Sequence, residues 1–106
     1  MASLVTPDRI VAALGPHTEA LDELPGYHNE VWIVRIHGSR MVLRVSPPGE
    51  RTAGELTAEL AFLRFLLNHD APVVGPAEIP GIPEVVEFGG PVGPLGVLFR
   101  LMDGAP

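Results

Sequence analysis

Residues 30–45 hold two short apolar runs separated by a turn signal. In "EVWIVRIHGSRMVLRV", two runs rich in β-branched and aromatic residues flank Gly38-Ser39, a pair suited to a two-residue loop, and they predict a β-hairpin. "SPPGER" breaks that pattern, and from Thr52 the period changes. Leu56, Leu60, Leu63 and Leu67 recur at helical spacing behind a T-x-x-E capping box of Thr52 and Glu55, which predicts a helix reaching about Asn68. The "NHDAP" that follows reads as its C-terminal turn. Upstream, Thr6-Pro7-Asp8 opens a short helix that Gly15-Pro16 closes after Leu14. "EALDEL" reads as an edge strand running into the turn-forming "PGYHN" at Pro25 to Asn29. Beyond Asp70 the chain is rich in Pro and Gly, and "PEVVEF" and "GVLFRLM" read as the strands of a second hairpin across "GGPVGPLG".

Two residues disagree with their surroundings. Met41, Leu43 and Val45 share one face of their strand, which leaves Arg44 on the other face with Val42. At about 100° per residue, Glu59 falls inside the same arc of the long helix as its leucines. Either charge buried alone is costly, whereas an Arg and a carboxylate can form a bidentate pair, so the two are expected to meet. Trp32, Phe88 and Phe99 read as core. Phe62 and Phe65 also read as core, but they lie outside the leucine arc and would face something outside these residues.

The 106 residues, 46% apolar and 19% charged, read as one folded domain over 1–106. No run approaches the roughly 18 apolar residues of a membrane span, and Asp8 and Arg9 interrupt any leader, which predicts a cytoplasmic protein. The absence of Cys excludes disulfides and thiolate metal sites. His17, His28, His37 and His69 lack close ligand spacing, so no metal site is expected. Thirteen acidic against seven basic residues give a net charge of -6, which argues against binding nucleic acid or an anionic membrane through bulk charge. Every basic residue is Arg, so Schiff-base chemistry on a lysine is impossible within these residues.

The segments "LPGYHNEVWIV", "MVLRVSPPG", "TAELAFLRFLLNHDAPVVGP" and "GVLFRLMDGAP" together resemble the N-terminal lobe of the aminoglycoside phosphotransferases, small-molecule kinases with a protein-kinase-like fold. The resemblance covers roughly residues 21 to 106. It implies an α+β fold: a small antiparallel sheet of about five strands packed on one long helix, preceded by a short N-terminal helix. By the resemblance, Arg44 touches the phosphates of ATP and Glu59 orients it. Gly26, Tyr27, His28 and Asn29 form the loop over the phosphates, although "PGYHN" lacks a G-x-G-x-x-G pattern. Val31 and Val42 contact the adenine, and the backbone of Arg100 and Met102 hydrogen-bonds to it. The catalytic residues and the main Mg²⁺ ligands belong to a C-terminal lobe outside these residues, so the 106 residues alone are expected to be inactive and to bind nucleotide weakly. The alternative expectation is a non-enzymatic short protein that uses the open cleft face to bind a partner or a second copy, possible as a homodimer.

Overall fold

The hairpin turn sets the register of the sheet. A computed structural model describes residues 3–24, 29–90 and 92–101 of the chain. Strand β2, Glu30–Ile36, passes through His37 and Gly38 into β3, Ser39–Ser46. Both loop residues have positive φ, 49° at His37 and 82° at Gly38. Such a turn matches the right-handed twist of its strands. The loop is therefore His37-Gly38, one residue earlier than the expected Gly38-Ser39, and Ser39 joins the strand opposite Ile36.

Around this hairpin lies a five-stranded antiparallel sheet in the order β1-β2-β3-β5-β4. Edge strand β1, Thr18–Leu24, pairs with β2 through an irregularity between Ala20 and Asp22. On the other side β3 pairs with β5, Leu95–Arg100, which carries β4. The strand expected over "PEVVEF" shrinks to Val86–Glu87. Pro83 cannot donate to a ladder, and Gly89 and Gly90, both at positive φ, turn the chain away after Phe88.

Two helices cover opposite faces of the sheet. Helix α1, Pro7–Leu14, is capped by Thr6, whose hydroxyl accepts from the Arg9 N–H, and Gly15 ends it at φ 109°. Its Ile10 and Leu14 are buried with Trp32, Val34, Leu43, Val45, Phe88 and Leu98 in the larger core. Helix α2, Ala53–Asn68, carries the full capping box of Thr52 and Glu55. It packs Leu56 and Leu60 on Leu95 and Val97, which face away from α1 because Leu98 and Val97 alternate along β5. Helix α2 thus lies on one face of the sheet, and the larger set of buried side chains sits on the other, under the short helix. The expectation that Phe62 and Phe65 are core is corrected: they are 58% and 55% exposed on the outer side of α2. Among the described residues no helix is long and apolar enough to cross a membrane.

Glu30 ties the N-terminal segment to this frame. Its carboxylate accepts from the Leu4 N–H at 2.5 Å, the Val5 N–H at 3.2 Å and the Trp32 indole at 2.8 Å. Gly96, opposite Val45 on the α1 side, is closely packed: an added Cβ would lie 2.6 Å from Phe88 Cε2 and 3.0 Å from Leu43 Cδ1. Gly96→Ala is expected to destabilise the fold by about 1–3 kcal/mol through overpacking. Urea unfolding measures this, and an unchanged midpoint would contradict the packing described.

Candidate nucleotide-binding cleft

Arg44 rises from an apolar sheet face. The pairings place Val31 of β2 and Val97 of β5 on either side of it, so its guanidinium stands over hydrocarbon and not in open water. Its Cζ lies 5.0 Å from the centroid of the Phe99 ring, within reach of a cation–π interaction. Nη2 donates to Glu59 Oε1 at 2.9 Å. The sequence expectation that these two charges find each other describes the geometry, but the pair is not bidentate. The second oxygen, Oε2, accepts from Arg51 Nη2 at 2.8 Å. One carboxylate therefore serves two guanidiniums. Arg44 Nε is buried and has no hydrogen-bond partner among the described residues.

Helix α2 and the loop before it supply this arrangement. Glu59 sits one residue before Leu60, whose burial against Leu95 and Val97 fixes the rotation of the helix and turns Glu59 toward β3. Arg51 immediately precedes the N-cap Thr52, so the same box that starts the helix holds Arg51 near its partner. Sequence reading did not single out Arg51, because a loop residue has no periodicity to place it. Burial pushes the Glu59 carboxyl up, but the hydrogen bonds and charges of Arg44 and then Arg51 outweigh it and leave the group below the ordinary glutamate range.

Beside the pair opens a cleft of about 460 Å³. Val31, Val42 and Phe99 come from three neighbouring strands, Val74 closes it from the segment after α2, and Arg44 lies at its wall with Arg100 and Leu101. No carboxylate or histidine is among these lining residues, so the cleft offers an apolar slot and fixed positive charge rather than a proton donor or acceptor. The Arg100 N–H donates to Gly75 O at 3.1 Å, so that amide is already engaged by the protein. The N–H and C=O of one strand residue point to the same edge. The Arg100 carbonyl therefore faces the Gly75 side, where Val73 N–H turns to Ala71 O instead of extending the ladder. Asn29, half-buried before β2, is not one of the lining residues. Gly26, Tyr27, His28 and Met102 lie outside the described residues. A second hollow of about 480 Å³ opens beside Arg64, but that guanidinium is already held by Glu78 at 2.9 Å and by Glu84. At the Arg44 cleft, by contrast, the guanidinium keeps an Nε without a partner among the described residues.

The fold and this cleft define a small α+β domain that presents an apolar slot next to a helix-anchored arginine. Residues 22–106 match the family model described as "Phosphotransferase enzyme family". The chain belongs to that family, and its resemblance to the N-terminal portion of the aminoglycoside phosphotransferases stands. No curated protein and no solved structure matches it.

The lowered Glu59 value has a consequence for stability. A folded carboxyl that ionises at lower pH than in the unfolded chain stabilises the fold above the unfolded value, about 4.3, and loses that contribution as pH falls through the folded value. Urea midpoints of the wild type should therefore decline below about pH 4.3, and Glu59→Gln should lower the midpoint at neutral pH while flattening part of that decline. Parallel profiles for the two proteins would contradict the shared ion pair.

Proposed function

We propose that these residues form the nucleotide-binding lobe of an ATP-dependent phosphotransferase, kinase-like in its N-lobe architecture, whose complete form moves the γ-phosphate of ATP to a hydroxyl of a small molecule. The observation that carries this reading is Arg44, held by Glu59 through a single contact at the wall of an apolar cleft. A guanidinium in that state is permanently charged and still has donors to offer a phosphate. The cleft volume falls within the roughly 300–1,000 Å³ of small-molecule sites, and its Val31, Val42 and Phe99 walls suit a flat heteroaromatic ring.

On this reading Arg44 binds a phosphate and Glu59 orients Arg44, while Val31 and Val42 lie against the adenine. The engaged Arg100 N–H leaves that residue's carbonyl as its contribution to the base, and Met102 supplies the next backbone contact. Residues Gly26 to Asn29 cover the phosphates. Bound ATP supplies the transferable phosphoryl group. Mg²⁺ and the catalytic groups are held mainly by a lobe outside these residues, so the chain alone binds nucleotide weakly and does not turn over. Use of ATP places the protein in the cytoplasm.

Val74, 44% exposed at the cleft, favours a second reading in which the open face takes a partner or another copy of the chain. Light scattering separates it, because a monomer at every concentration removes self-association.

Arg44→Met tests the nucleotide role. Glu59 keeps Arg51 as partner in this variant, so no carboxylate is orphaned and stability should fall by no more than about 1 kcal/mol. ATP binding, followed by calorimetry or NMR, should be lost. Retained affinity would remove Arg44 from the nucleotide site.

A further inference from the structure

The division of Glu59 between two arginines raises the question of what the second one does. An isolated arginine and carboxylate close into a fork, two parallel N–H···O bonds that use both oxygens. Here Arg44 makes only one, to Oε1, while the other oxygen accepts from Arg51. The charges follow the same logic. Two guanidiniums share one carboxylate, so the group keeps one uncompensated positive charge in a chain whose net charge is -6. Arg51 is not itself among the residues lining the cleft, whereas Arg44 is. Its influence on a ligand must therefore pass through Glu59.

We infer that Arg51 is a positioning residue: by occupying Glu59 Oε2 it limits Arg44 to a single contact, and so keeps the remaining Arg44 donors and one net positive charge available to a polyphosphate in the cleft. Arg44 Nε is buried and has no partner among the described residues, so the donors left for a ligand are those of the two terminal nitrogens that Glu59 Oε1 does not take. Glu59 alone would hold Arg44 and also neutralise it. Glu59 together with Arg51 holds it and leaves it charged. The inference rests on the nucleotide reading for the identity of the ligand, but the geometry of Arg44 is independent of that reading.

The test uses the 106-residue chain labelled for NMR of arginine side chains, with inorganic triphosphate and ATP as probes. In the wild type, triphosphate should shift the Arg44 Nε–H signal saturably. In Arg51→Met, Arg44 should close on both oxygens of Glu59, its guanidinium protons should exchange more slowly without ligand, and triphosphate affinity should fall about three- to tenfold. Arg51→Lys restores a single-point contact to Oε2 and should recover most of the affinity, which a general loss of stability would not allow. Equal affinity in Arg51→Met and wild type, with Arg44 exchange unchanged, would overturn the positioning role and leave the nucleotide reading intact. A wild-type chain in which neither probe moves the Arg44 signal would remove both.

Discussion

A single carboxylate at the seam between α2 and the sheet organises the cleft face of this protein. Glu59 is about two-thirds withdrawn from water, and Arg44 from the strand and Arg51 from the preceding loop supply opposite charge at hydrogen-bonding distance that more than offsets the cost of its burial. Each partner depends on the others. Arg44 could not stand on an apolar sheet face without a counter-charge, and Glu59 could not sit among leucines without a cation. The geometry of the cleft wall is thus fixed by the requirement that no buried charge be left alone.

That polar tether matters because the hydrophobic seat of α2 is narrow. Leu56 and Leu60 are its two fully buried side chains, resting on Leu95 and Val97, while Leu63, Val85 and Phe99 complete the contact from partly exposed positions. The larger core lies on the other face, where α1, Trp32 and Phe88 cover the hairpin. A second ionic anchor, Arg64 with Glu78 and Glu84, ties the C-terminal half of α2 to the segment that leads into β4. The larger core is built on one face and the cleft opens on the other, with β3 common to both. Its Leu43 and Val45 are rooted in the α1 core, and Val42 and Arg44 between them point into the cleft.

The parts legible in the sequence were those written as a period or a cap. Alternation along β3 separated Arg44 from Leu43, the helical angle placed Glu59 among leucines, and Thr52 with Glu55 marked the start of α2 to the residue. Arg51 was illegible because it stands in a loop, where neither period applies, and the exchange of a forked pair for a three-way cluster followed from that omission. The turn shifted to His37-Gly38 because His37 accepts a positive φ that residue statistics assign more readily to Gly, Asn or Asp. The hydrophobicity of Phe62 and Phe65 argued for burial, but their angle around the helix argued against it, and the angle prevailed. The weight of the α1 core was hidden for a different reason. Its buried members come from six separate stretches of chain between Val5 and Leu98, and only the folded topology brings them together.

The most direct measurement is methyl NMR of the valine-labelled chain titrated with ATP and Mg²⁺. Val31, Val42 and Val74, which line the cleft, should shift saturably, while Val5, Val34 and Val45 in the α1 core should remain where they are. Shifts confined to the α1 side, or none at any of the three cleft valines, would contradict the assignment of this face to a nucleotide.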